Sequence, residues 1–370
     1  MHQMRPLIVA LTAFAILLAE TPARRKVAFA RVFPQPGQLT LFVAASDGSD
    51  LHPLLASADT DYDPVWAPDG GSIVFTSERN GSADLYRVNP DGSGLTQLTA
   101  DPAYDDQAAF SPDAKQLVFV STRGAGTANL WTMDLTTRRA HALTSGSGGD
   151  FRPSWSPDGK WIAFSSSRKG NRDIYWKAAS GAGADEPLLE AAASTSVEDW
   201  SADGKLLLFN INSHEIDALP MSGDRKPYPV LKAPFAQTRG NLSPDGRWIA
   251  YVSQESGRME VFVQNFPPAG GKWQISNSGG TEPSWRRDGK ELYFLNGTKL
   301  EAVDVKAAGS SFEAGIPKDL LDVPVVGETT RRNRYVATAD GPRFLFVTSP
   351  KTLDTTPFTV VENWQTAFKH

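Results

Sequence analysis

The chain contains no cysteine. That excludes disulfides, thiol nucleophiles and thiolate metal sites, and leaves nothing to acylate as in a lipoprotein. Histidine is scarce, with five in 370 residues. His2 and His370 are terminal, and His52, His141 and His214 lie far apart in sequence. None has an i, i+4 partner of the kind that builds a metal pair, so they read as surface or outer-strand residues and no metal or cofactor is expected. A basic excess is also lacking: 37 Lys and Arg stand against 42 Asp and Glu, a net charge of −5. Nucleic-acid binding, which needs a clustered basic face, is therefore not expected. No Gly-x-Ser-x-Gly elbow occurs, and Ser145-Gly146-Ser147-Gly148 is a flexible loop by composition.

The apolar run Leu7–Ala19 is too short for a spanning helix, which needs about 20 residues. It follows Arg5 and precedes Thr21-Pro22-Ala23, small residues flanking a proline. This is the signal-peptide pattern, with cleavage expected after Ala23. The expectation is a leader at 1–23, a mature domain at 24–370 with no stable membrane span, and a periplasmic or secreted location.

What the chain has in quantity is turn residues and aromatics: 31 Gly, 26 Pro and ten Trp. They are arranged in a repeat. Phe151–Tyr175 reads as a strand ending at Trp155, the turn Ser156-Pro157-Asp158-Gly159, a strand from Lys160, a loop with Arg168 and Gly170, and a third strand at Asp173–Trp176. Pro presets φ for the turn, Asp tolerates the next position, and Gly takes positive φ. The flanking β-branched and aromatic runs suit strands. The turn Asp recurs at Asp69, Asp113, Asp158, Asp203, Asp245 and Asp288, at intervals of 44, 45, 45, 42 and 43 residues. A weaker copy stands at Asp340-Gly341.

A period of that length filled by strands predicts an all-β fold, a β-propeller of four-stranded blades. Each blade needs neighbours to cover both of its faces. Full blades are expected at about 62–99, 104–144, 150–189, 197–231, 238–275 and 281–321, with partial blades at 26–57 and 334–364. The count reads as eight. It falls to seven if C-terminal strands such as Phe358–Trp364 close the ring on the first blade.

The repeat carries a resemblance. Pro153–Arg168 with Asp173-Ile174-Tyr175, and Asp91–Thr99 as a turn and outer strand, are similar to the TolB-type, WD40-like (PD40) propeller repeat. The likeness extends over essentially the whole mature chain. The second half, including Leu242–Pro267, Thr281–Leu295 and Thr359–Lys369, resembles propeller sensor domains fused to bacterial serine/threonine kinases. No kinase motif is present. The α/β domain of the TolB translocation protein and the hydrolase domain of prolyl-oligopeptidase-like enzymes have no counterpart in this sequence. A lyase class with a similar propeller uses a histidine-rich metal centre, which the five scattered histidines do not supply.

Recurrence separates scaffold from site. The turn Asp repeats, so it is a turn residue and not a catalytic acid; sialidase Asp-boxes differ, having a residue between Asp and Gly. Arg79, Arg123 and Arg168 repeat ahead of Asp84, Asn129 and Asp173, and are expected to brace the hairpin of the second and third strands. Asp59, Asp61 and Asp63 lack the glycine and distal glutamate of a calcium loop and read as a solvated loop. The first strand of each blade lines the channel. Three residues before its terminal aromatic or leucine stand Asp63, Gln107, Arg152, Val197, Arg239 and Glu282, with Asp105, Asp106, Phe151 and Glu198 as neighbours. Here the scaffold repeats and the chemistry does not. Asp63, Gln107, Phe151, Arg152, Glu198, Arg239 and Glu282 are therefore the candidate binding residues, at the channel mouth. No catalytic residue is assigned.

The expected function is a monomeric, exported binding module for an envelope protein or peptide. The opposing reading is a carbohydrate lyase or hydrolase using carboxylates such as Asp63, Glu198 and Glu282. A third is a small-ligand sensor.

Overall fold

The computed structural model describes residues 26–32, 39–45, 52–55, 59–322 except 125 and 310, 335–337 and 344–348. The expected leader at 1–23, the Asp340-Gly341 turn and Phe358–Trp364 lie outside the described residues. Every regular element described is a strand, and no helix among them is long and apolar enough to cross a membrane.

Six sheets follow the repeat, spanning 61–97, 105–142, 150–189, 195–231, 237–274 and 281–322. Each is an antiparallel meander in which successive strands are neighbours, and the sixth carries an additional strand. The second strand of each is a nearly continuous apolar run. Ile73–Ser77 and Trp248–Ser253, for example, are buried throughout. A strand covered on both faces has no polar alternation to show.

The core consists of the seams between sheets. Val118, Val120 and Leu130 of one sheet pack on Trp155, Ile162 and Phe164 of the next. Ala163, Ile174 and Trp176 then pack on Trp200, Leu207 and Phe209. Leu208, Ile216 and Ala218 meet Leu242, Ile249 and Tyr251, and Trp248 and Val263 meet Trp285 and Phe294.

The turns hold as the repeat requires. Ser156 Oγ donates to Asp158 at 2.6 Å, Asp158 accepts the Lys160 N–H at 3.1 Å, and Ser156 Oγ accepts the Trp161 N–H at 3.0 Å. Asp113, Asp203 and Asp245 repeat this arrangement. These bonds hold Asp113 and Asp158 below the ordinary carboxyl value, and the Lys205 side chain, followed by the same serine and backbone bonds, holds Asp203 at about 2.

Among the described residues, strands from both ends of the chain share one sheet. Lys26–Val32 lies parallel to Phe344–Thr348, with Ala30 opposite Val347. One sheet results, in the order 335–337, 344–348, 26–32, 39–45, 52–53. The described residues thus form seven sheets, the lower of the two counts considered. Each terminal segment alone would leave an unpaired edge, and sharing a sheet removes it. This sheet packs on both neighbours. Leu41, Val43 and Leu54 meet Trp66, Ile73 and Phe75, and Phe42 and Tyr335 meet Tyr293 and Leu300. The ring is closed.

The repeated arginines brace the second and third strands as expected, but the acids they pair with are on the first strand rather than at the start of the third. Arg79 pairs with Asp61 on the first strand at 2.9 Å, and Arg123 and Arg168 pair with Asp105 and Asp150 in the same way. Each guanidinium also bonds a serine of the second strand, Ser77, Ser121 or Ser166. Each lies over an aromatic ring of the third: Tyr86 at 4.7 Å, Trp131 at 4.8 Å and Tyr175 at 4.4 Å. One arginine therefore ties three strands together. Asp61 is fully buried within its strand, which corrects its reading as part of a solvated loop.

Candidate binding site at the channel mouth

The innermost strands share an irregularity that the sequence pattern does not announce. Pairing with the second strand slips between Tyr62 and Val65, Asp106 and Ala109, Phe151 and Ser154, Thr238 and Asn241, and Thr281 and Ser284. In each case two residues stand opposite one, which is a β-bulge. The first bulged residue has positive φ: Asp63 at 44°, Gln107 at 53°, Arg152 at 52°, Arg239 at 60° and Glu282 at 53°. L-residues with side chains seldom adopt this region, and its recurrence at equivalent sites marks a constraint of the channel wall.

The sheet at 195–231 departs from this pattern. Its slip falls between Val197 and Asp199 and leaves a single unpaired residue, Glu198. Glu198 thus takes the place that simple counting would give to Val197.

The structure links these side chains around the ring. Gln107 Oε1 accepts the Arg152 N–H at 2.9 Å. Glu198 accepts the Arg239 backbone N–H and lies within the fields of Arg239 and Arg152. Arg239 and Glu282 approach to 3.9 Å, and Tyr335 from the closing sheet donates its hydroxyl to the Glu282 carbonyl. Asp63 occupies the equivalent bulge of the first complete sheet.

The neighbours divide differently. Asp105 is buried in its ion pair with Arg123. Asp106 is buried and accepts from Thr76 at 2.9 Å and Tyr104 at 2.8 Å. Phe151 is partly exposed and packs on the seam that includes Val118 and Phe164, so it supports the wall as much as it faces the channel.

Sequence reasoning missed Asp199. Its carboxylate accepts the Leu242 N–H at 2.8 Å and the Asn241 amide at 3.2 Å in the adjacent sheet. A signal was present. The residue before the terminal aromatic or leucine is Val65, Ala109, Ser154, Asn241 or Ser284 in the other sheets, and an acid only here. Glu198 and Asp199 each keep some exposed surface, yet removal from solvent is the largest influence on both. It pushes each carboxyl up to about 7, against the opposing pull of Arg239 on Glu198 and of backbone donors on Asp199. Among the described residues, no group of three His, Asp or Glu is placed to hold a metal ion.

Seven sheets, a shared turn and a closing sheet built from both ends define a β-propeller. The chain belongs to the TolB beta propeller domain family, whose model matches residues 18–124 and 106–225. Among solved structures it is similar to TolB from Acinetobacter baumannii, with 24% identity and a TM-score of 0.50 over 66% of this chain. The chain spans 61% of that TolB. It is also similar to an oligogalacturonate lyase from Vibrio parahaemolyticus (13% identity, TM-score 0.57, 78% of this chain and 84% of that one). A periplasmic gluconolactonase from Pseudomonas aeruginosa matches at 15% identity and a TM-score of 0.54, over 86% of this chain and 98% of that one. These likenesses show the fold. Comparison with curated proteins finds no match.

Proposed function

We propose that the protein is a binding module of the cell envelope that takes a polar segment of a partner protein or peptide at its channel mouth. The observation that carries this reading is the ring of bulged residues. The positive-φ bulge repeats at Asp63, Gln107, Arg152, Arg239 and Glu282, with Glu198 at the shifted bulge of the remaining sheet, while the chemistry runs acid, amide, cation, acid, cation, acid in chain order. A purely structural device would repeat its side chains, as the Arg–Ser–Asp brace and the turn Asp do. A patterned ring of charges selects by electrostatic complementarity and positions backbone and side-chain groups of an extended segment. The propeller family and the likeness to TolB agree with an envelope role.

The test is capture from envelope extract by the mature protein beside a variant carrying Asp63→Ala, Arg152→Ala, Arg239→Ala and Glu282→Ala. Loss of a specific partner in the variant, with its melting temperature retained, supports the reading. Retention of every partner refutes it.

A second reading, a propeller enzyme acting on a carbohydrate, has one observation in its favour. Glu198 and Asp199, pushed up to about 7, hold a proton in the range where a general acid operates. Turnover on a panel of polysaccharides, abolished by Glu198→Gln, would establish it.

A further inference from the structure

At the end of the sheets that carries the Ser-Pro-Asp-Gly turns, two adjacent sheets form a pocket of about 360 Å³. It is lined by Trp161, Trp176, Trp200 and Met221, with Asp158, Asp203 and Arg225 among its polar residues. Trp161 stacks on Trp176 with ring centres 4.0 Å apart and planes 13° from parallel. The Arg225 guanidinium lies 4.4 Å over Trp176. Trp161 remains partly exposed, whereas Trp176 and Trp200 are buried in the seam.

Trp161 and Trp200 have counterparts in Trp248 and Trp285, but among the described residues no other of the six repeat sheets has a tryptophan in the place of Trp176. The register places Arg87, Thr132, Ala218, Val263 and Ala302 where Trp176 stands. The criterion that singles out the channel mouth, chemistry that departs from the repeat, therefore singles out this pocket too. The two turns that frame it lie side by side: a Cβ built on Gly204 would stand 3.7 Å from Pro157 Cδ.

Its charges restrict the ligand. Asp203 is held down first by the Lys205 side chain and then by serine and backbone donors, and Asp158 by serine and backbone donors. Each carboxylate is already paired with a lysine, Lys205 at 2.9 Å and Lys160 at 3.5 Å, so this rim offers no unpaired charge to an ion. The Arg225 guanidinium already lies over the indole, which opposes a cation. A neutral molecule with an apolar face and a hydroxyl rim meets both conditions. The face lies on the exposed side of Trp161, and the hydroxyls donate to the carboxylates and accept from the guanidinium. The volume is at the low end for small-molecule pockets, which run from about 300 to 1,000 Å³, and fits one or two sugar rings. We propose that the pocket lined by Trp161, Trp176 and Trp200 is a binding site for a neutral saccharide, separate from the channel mouth.

The test is titration of the protein with cellobiose, maltose and N,N′-diacetylchitobiose, followed by tryptophan fluorescence and calorimetry. Choline and glucuronate serve as charged comparators. At least one neutral disaccharide should bind saturably with Kd near or below about 1 mM. Trp161→Ala, at a partly exposed position, should weaken it at least tenfold, Trp161→Phe much less, and Arg225→Leu at least threefold. Arg152→Ala at the mouth should leave it unchanged, which keeps this result independent of the mouth's function. The proposal is overturned if none of the three sugars binds up to about 10 mM. It is equally overturned if Trp161→Ala and Arg225→Leu both bind like the parent, or if choline or glucuronate binds more tightly than every sugar.

Discussion

Replacing Glu198 with glutamine should flatten the dependence of stability on pH between about 4.5 and 7. In the unfolded chain this carboxyl ionises near its ordinary value of 4.5, and in the fold it holds its proton to about 7. Between those values the folded state binds a proton that the unfolded state has released. Stability therefore falls as pH rises, by up to about 1.4 kcal/mol per pH unit and roughly 3 kcal/mol in all. Below the window both states are protonated and the contribution is fully present. Above about 7 both are ionised and it is gone. Asp199 acts in the same direction from 3.8 to about 7. Asp203, held at about 2, acts in the opposite direction and only in more acid solution. Urea denaturation at constant ionic strength, from about pH 4.5 to pH 8, measures the slope. Glu198→Gln, which is neutral throughout, should be clearly less steep than the parent. Equal slopes would refute the reasoning, because the channel would then be wet enough to solvate the carboxylate despite the surrounding protein.

Three further outcomes are expected. Arg168→Ala leaves the fully buried Asp150 without its ion-pair partner and should lower stability by about 3–5 kcal/mol in urea melts; Arg168→Lys should restore little, because a point charge cannot make the forked contacts. Asp113→Ala removes the bonds to Ser111 and the Lys115 N–H, and should lower stability by about 1 kcal/mol without changing capture of any partner. Gly92→Ala places a Cβ 2.2 Å from the Leu54 carbonyl at a backbone φ of 81°; it should cost at least about 1–2 kcal/mol and raise amide exchange in Leu39–Ala45.

The repeat was legible because it is local. Ser156-Pro157-Asp158-Gly159 makes its own turn from its own side chains, and the apolar runs on either side need only a strand's geometry. The arginine brace was half legible. Recurrence marked Arg79, Arg123 and Arg168 as structural, but sequence proximity pointed to the wrong acids. Arg168 reaches Asp150, 18 residues away, because neighbouring strands bring their ends together. The candidate site was legible as a column of variable residues. The bulge that turns those residues aside, and its displacement to Glu198 in one sheet, depends on hydrogen-bond register that no single strand contains. The tryptophan pocket was not seen, since Trp161, Trp176 and Trp200 look like ordinary core residues until two sheets meet.

By itself, the sequence determined the fold class, the length of the repeat and the absence of thiol chemistry, because these follow from composition and from interactions within a few residues. Tertiary structure decided how many sheets the described strands make, since the pairing of Lys26–Val32 with Phe344–Thr348 joins opposite ends of the chain. It also decided where charge is held out of water. Glu198 and Asp199 are pushed up to about 7 where neighbouring sheets meet around them, and desolvation is a property of that packing.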